Sequence, residues 1–222
     1  MRSIHPERLD SATAEDAAAN LADLRRINRY LGGHTTLLRA VARLYSPRDA
    51  FSVLDLGAAS GDMGHALQRR YPRARVVALD ASERHLHHGR GRRVVADAFR
   101  LPVAAGRFDI VMCSLFLHHF TNEQITVLLG SMGAVARRAV VVTDLERHTL
   151  ARAFLPATRW LFRWHAITVH DGPVSVQAGF LPQELRALAD AAGLRNAAVR
   201  RHVPWFRLSL VWENPRPDGI LS

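Results

Sequence analysis

The chain has 222 residues, 48% of them hydrophobic, which allows one substantial core and predicts one domain with decorations. No apolar run is long enough to span a bilayer, the stretch Met1 to Glu7 lacks the apolar core of a signal peptide, and a single cysteine excludes an intramolecular disulfide, so a cytoplasmic setting is expected. The formal charge of +10 invites a nucleic-acid reading, but all 30 basic residues are arginines scattered from Arg2 to Arg216, which favours a solvated surface over clustered phosphate contacts.

In chain order, Ala14 to Tyr45 carries Leu21, Leu24, Ile27 and Leu31, then Leu37, Leu38, Val41 and Leu44, at helical spacing. The break at Gly32-Gly33 predicts two helices, an N-terminal cap over 14–45. Strands are predicted over 51–56, 75–80, 93–96, 108–114 and 138–144, and helices over 61–70, 82–89 and 122–136. Residues 182–192 read as a helix closed by Gly193, followed by strands over 197–203 and 206–212. Apolar strands alternating with helices mean a mostly parallel sheet covered on both faces. The segment 146–181 is too long for an ordinary turn and reads as a decorated loop on the substrate side. Its Phe154, Trp160, Phe162 and Trp164 are expected to wall an acceptor pocket; the alternative is a helical elaboration whose aromatics only pack together.

The most informative stretch is Val53-Leu54-Asp55-Leu56-Gly57-Ala58-Ala59-Ser60-Gly61-Asp62, an apolar strand running into a glycine-bearing turn ahead of a helix. A dinucleotide fingerprint starting at Gly57 would need glycines where Ala59 and Asp62 stand. Asp55 and Asp62 would also repel a pyrophosphate, whereas a sulfonium cation tolerates them. Asp55, Gly57 and Gly61 match the first motif of the class I S-adenosylmethionine-dependent methyltransferases, and the chain resembles that family. Asp80 ends the second strand, and Asp97, Ala98 and Phe99 follow the third. Ser114 to Phe120, a Ser-Leu-Phe-Leu-His-His-Phe run, follows the fourth, so four motifs come in the family's order.

The resemblance implies a Rossmann-like α/β fold with a seven-stranded, mostly parallel sheet, the last strand antiparallel, helices on both faces and a helical cap. It implies a cofactor-binding core over 51–145 and a C-terminal part of that core over 182–212. S-adenosyl-L-methionine is the implied cofactor, held by Asp55, Gly57, Ala58, Gly61, Asp80, Ala81, Asp97, Ala98 and Ser114, with Asp80 on the ribose and Asp97 on the adenine. The Leu-His-His-Phe segment is similar to small-molecule enzymes of the ubiquinone/menaquinone type. Residues 24–33 and 170–173 resemble a bacterial subgroup associated with type III polyketide synthases in secondary metabolism. The expected reaction is methyl transfer to a small aromatic or polyketide-derived acceptor, at oxygen.

Removing a proton from such an acceptor calls for a base, and histidine suits neutral pH. His119 is the first candidate, then His118 and His170, the last beside Asp171. No metal is expected, because His85, His87 and His88 lack the spacing and the partners of a zinc site. Two alternatives remain open: an RNA or other nucleic-acid methyltransferase, and a non-catalytic cofactor-binding or partner-activating module. Against the first, Asn/Asp-Pro-Pro-aromatic chemistry is absent after the fourth strand, and Cys113 lies within that strand. The oligomeric state, monomer or homodimer, is left open.

Overall fold

A computed structural model of the chain describes residues 2–5, 7–87 and 91–215. The end of the helix expected over 82–89, His88 and Arg216 lie outside them. Seven strands form one sheet: Ser52–Leu56 (β1), Arg75–Asp80 (β2), Arg92–Val95 (β3), Phe108–Ser114 (β4), Ala136–Leu145 (β5), Ala198–His202 (β6) and Arg207–Glu213 (β7). Their order is β3-β2-β1-β4-β5-β7-β6. Strands β1 to β5 pair in parallel, and β7 runs antiparallel to both neighbours, β5 and β6.

Period-2 alternation within the central strands builds two cores. Leu54, Val111, Cys113, Val140 and Val142 face one side, against the helices Asn122–Val135 (α5) and Pro182–Ala191 (α8). Val53, Ile110, Met112, Ala139 and Val141 face the other, against Gly33–Val41 (α2) and Asp62–Arg70 (α3). Central strands buried on both faces account for the continuous apolar runs in the sequence. Helix α5 starts at a capping box in which the Thr121 hydroxyl accepts from Gln124 N–H and the Gln124 side chain accepts from Thr121 N–H.

Two helices precede the sheet as expected, Ala14–Tyr30 (α1) and α2, separated by Gly32 with φ +83°. A short helix, Glu83–His87 (α4), follows β2. The decorated loop expected after β5 is a helical elaboration, the alternative weighed for it: the segment folds as two helices, Thr149–Phe162 (α6) and Ala166–Ala178 (α7). Pro156, Pro173 and Gly172 disguise them, because proline and glycine normally argue against a helix interior. His148 and His165 are their N-caps, each ring accepting from a backbone N–H two residues on. Helix α7 is tied to α1 by Thr168, whose hydroxyl meets both Asn20 and Asp23, and by the His165 N–H on Asp23.

From β1 the chain passes to β2 and β3 on one side, and β4 and β5 lie on the other. The strand order therefore reverses between β1 and β4, and a crevice opens at their carboxyl ends, where open α/β sheets bind ligands.

Candidate active site

A cavity of about 700 Å³ occupies that crevice. Its floor is Asp55 and the β1 loop, with Asp80 and the Ser114 to Phe120 segment beside it. Its roof comes from α1, α7 and the N-terminal residues Ile4, His5, Glu7 and Leu9. A larger groove, about 1170 Å³, runs along β6 and β7 and shares no lining residue with it; none of the expected site residues is there.

The β1 loop is held in a shape few sequences allow. Gly57 has φ +63°, and a Cβ there would sit 2.2 Å from the Phe116 ring. Ala59 also takes a positive φ, and Gly61 at φ +69° starts α3. Asp80 locks the loop to β2: its Oδ2 accepts from Ala59 N–H at 2.8 Å and its Oδ1 from Ser82 N–H at 2.9 Å. Asp55 lies beneath the loop, 1% exposed, with Oδ2 unpartnered. Burial pushes its carboxyl up to about 8; an N–H from Gly64 opposes the rise, and the charges of Asp80 and Asp62 add to it. An orphaned buried carboxylate oxygen beside a glycine cradle fits a cationic ligand lying along the loop.

At the other end of the cavity, His118 Nδ1 lies 2.6 Å from Asp144 Oδ1, and both side chains are buried. Asp144 ends β5; its Oδ2 also accepts from Leu117 N–H at 3.0 Å and its Oδ1 from Leu145 N–H at 2.7 Å. Desolvation lowers the His118 pKa, but the field and hydrogen bond of Asp144 overcome it and leave a net rise. Desolvation likewise acts against Asp144, yet His118 holds its pKa below the usual value. His119 packs on His118 at a 35° tilt with ring centroids 4.3 Å apart; desolvation and the His118 charge push its pKa down to about 3. Glu7 Oε1 lies 3.9 Å from both His118 Nε2 and His119 Nδ1, and it accepts from the Ser175 hydroxyl.

Of the residues singled out in the sequence, Asp55, Gly57, Ala58, Asp80, Ser114, His118 and His119 line this one cavity. Gly61 shapes the loop behind it. Ala81, Asp97 and Ala98 are not among its lining residues: Ala98 packs in the core, and Asp97 accepts from Phe99 N–H in an exposed turn.

His170 lies apart from the cavity. Its ring is 40% exposed and bonds Asp171 at 2.8 Å outside the cavity, while Asp171 caps the N–H groups of Arg8 and Leu9. A neighbouring acid in sequence thus anchors the N-terminal segment as well as a surface ring. The aromatic wall is corrected: Trp160 is 81% exposed, and Phe154, Phe162 and Trp164 pack among themselves outside the cavity. The aromatic lining comes from Phe116 and Phe120.

Glu7, Asp144 and Arg207 went unassigned in the sequence, since each comes from a different distant segment. Asp144 alone carries a signal, an acid ending an apolar strand. Glu7, His118 and His119 also bring donor atoms within 4.8 Å of one another, a grouping that spacing within the chain could not show.

A family model described as a methyltransferase domain matches residues 53–139. The chain is 26% identical over 200 residues to the ubiquinone/menaquinone biosynthesis C-methyltransferase UbiE of Paracoccus denitrificans, covering 81% of this chain and 78% of that one. Over residues 53–139 the chain carries a methyltransferase domain, and it is similar to the S-adenosylmethionine-dependent methyltransferases.

Structural neighbours of the chain hold SAH, the demethylated form of S-adenosylmethionine. A malonyl-[acyl-carrier protein] O-methyltransferase of Xylella fastidiosa is 34% identical over 101 residues, a match to 42% of this chain and about a third (34%) of that relative's length. Among solved structures, the plantazolicin methyltransferase BpumL in complex with a pentazolic desmethylPZN analog and SAH superposes with a TM-score of 0.67 at 15% identity, covering 93% of both chains. The magnesium protoporphyrin IX methyltransferase ChlM of Synechocystis PCC 6803, with bound SAH, gives a TM-score of 0.58 at 16% identity, over 90% of this chain and 96% of that one. At these identities the likeness is one of fold.

Proposed function

We propose that this methyltransferase methylates an ionisable oxygen of a small, aromatic or polyketide-derived acceptor, with His118 as general base. The observation that carries the reading is the buried His118–Asp144 pair on the cavity wall opposite the cofactor loop. Relatives named for small acceptors support the choice of a small molecule over a nucleic acid.

In this reading Asp80 receives the ribose hydroxyls, the loop from Gly57 to Ser60 lies against the amino-acid end, and Asp55 and Ser114 complete the cofactor wall. When bound, the cofactor supplies an electrophilic methyl carbon. The chain's own work is alignment, exclusion of water and removal of one proton. Asp144 accepts the Nδ1–H of His118, which fixes the tautomer and leaves the Nε2 lone pair facing the cavity. His118 Nε2 takes the acceptor proton, and the imidazolium that forms is stabilised by Asp144. His119, held neutral, cannot add a competing positive charge beside it. Phe116 and Phe120 with α7 supply apolar walls that keep water from the acceptor oxygen.

The test is transfer of radiolabelled methyl from S-adenosylmethionine to a panel of phenols, by wild type and His118→Ala. Methylated phenol formed by wild type and lost in the variant supports the reading. Equal turnover by the two removes His118 as base. Turnover restricted to RNA would replace the acceptor class.

A further inference from the structure

Arg207 opens β7 directly across from Leu145 at the carboxyl end of β5, and it lines the active-site cavity. Alternation along β7 sends Leu208, Leu210 and Trp212 into the core packed by α5 and α8, so Arg207 projects from the opposite face, on the acceptor side of the crevice. The residue is only 4% exposed. Among the described residues its guanidinium has neither a hydrogen-bond acceptor nor an ion-pair partner; Asp144 is felt only as a field. Asp144 is already committed to His118 and to the N–H groups of Leu117 and Leu145.

The contrast with other arginines is sharp. Arg201 on β6 pairs with Glu146, Arg147 with Glu184 and Arg137 with Asp109. A buried cation without a contact partner is costly unless a ligand supplies the anion, and binding pockets are where such a group is kept.

We infer that Arg207 is the anchor for a carboxylate on the acceptor, so that the molecule methylated at oxygen beside His118 is an aryl or polyketide acid. This rests on the proposed reaction and names its substrate class. The planar guanidinium fork matches a carboxylate with two parallel N–H···O bonds. A single guanidinium carries one positive charge, which disfavours a phosphate dianion at the same place. Arg207 is also coupled to the base, because its charge lowers the His118 pKa.

The test is calorimetric binding to the full chain saturated with S-adenosylhomocysteine, so that no turnover is needed. The probes are 4-hydroxybenzoate and 6-hydroxy-2-naphthoate, each against its primary amide. Wild type is expected to bind at least one acid about tenfold or more tightly than its amide, a preference that vanishes in Arg207→Met and is only partly kept in Arg207→Lys. Thermal unfolding of Arg207→Met should show a melting temperature equal to or above that of ligand-free wild type, as removal of an unpartnered buried charge allows. A wild type that binds neither acid, or binds amides as well as acids, overturns the inference, as does a preference that survives Arg207→Met. Acid-selective binding by a chain that methylates none of these phenols sinks the proposed reaction and leaves the Arg207 site standing.

Discussion

His118 Nδ1 and Asp144 Oδ1, 26 residues apart in the chain, meet at 2.6 Å in the buried end of the cavity. A base oriented in this way is active when neutral. The limiting rate should therefore rise with pH through a value above the ordinary histidine 6.5, and Asp144→Asn should move that value down. His118→Ala should lower kcat by about 10²–10⁴-fold while S-adenosylhomocysteine still binds. Initial rates between pH 5.5 and 9.5 check both. The pair also carries a stability signature. The raised His118 contributes stability below 6.5 that is lost as pH rises through its folded value, and the lowered Asp144 contributes stability above 3.8 that is lost on acidification. Urea unfolding should show the Asp144→Asn deficit to be greatest between those limits.

Asp80 holds the β1 loop through two backbone N–H groups and faces the cavity with its remaining lone pairs. Asp80→Ala should weaken S-adenosylhomocysteine by about tenfold or more, combining lost ligand bonds with a loosened loop. Calorimetry reads this directly, and unchanged affinity would remove Asp80 from the cofactor site.

Asp55 is raised to about 8 in the ligand-free chain, so folding favours its protonated form. Its contribution is fully present below the unfolded value of 3.8 and lost as pH rises through about 8. Asp55→Asn should therefore raise the melting temperature of the ligand-free chain more at pH 8.5 than at pH 5, where only part of the loss has occurred. The same change should reduce the preference for cationic S-adenosylmethionine over neutral-sulfur S-adenosylhomocysteine, since an ionised carboxylate is what the sulfonium attracts.

Gly57→Ala combines a positive φ with a Cβ placed 2.2 Å from the Phe116 ring. It should abolish measurable cofactor binding without unfolding the sheet, because the ring must leave the cavity wall or the loop must shift. Phe116→Ala in the Gly57→Ala background should recover part of the affinity. Failure to recover any would assign the loss to backbone strain alone.

His170→Ala should leave methyl transfer within about twofold of wild type, as surface substitutions usually do. Asp171→Ala should not, because it frees the Arg8 and Leu9 N–H groups that pin the segment carrying Glu7 over the cavity. Limited proteolysis near the N-terminus should accelerate in the second variant only.

The sequence by itself determined the sheet and the turn that follows β1. Apolar runs such as Val53-Leu54 and Val140-Val141-Val142 can be buried only in central strands, and Gly57 and Gly61 mark backbone turns that local chemistry dictates. These signals are local, each lying within about ten residues of chain, so periodicity and turn chemistry expose them. The sequence left helices α6 and α7 as an alternative to a loop because Pro156, Gly172 and Pro173 stand where a helix rarely tolerates them; packing of α7 against α1, and of α6 against α7, outweighed propensity. Only the tertiary structure decided the far wall of the cavity. It set Asp144 behind the His118 ring and not behind His119, turned His170 to solvent, sent the α6 aromatics outward, and brought Glu7 and Arg207 from opposite ends of the chain to one cavity. Those choices depend on which strand ends are neighbours, β4 beside β5 and β5 beside β7, and spacing along the chain carries no record of that adjacency.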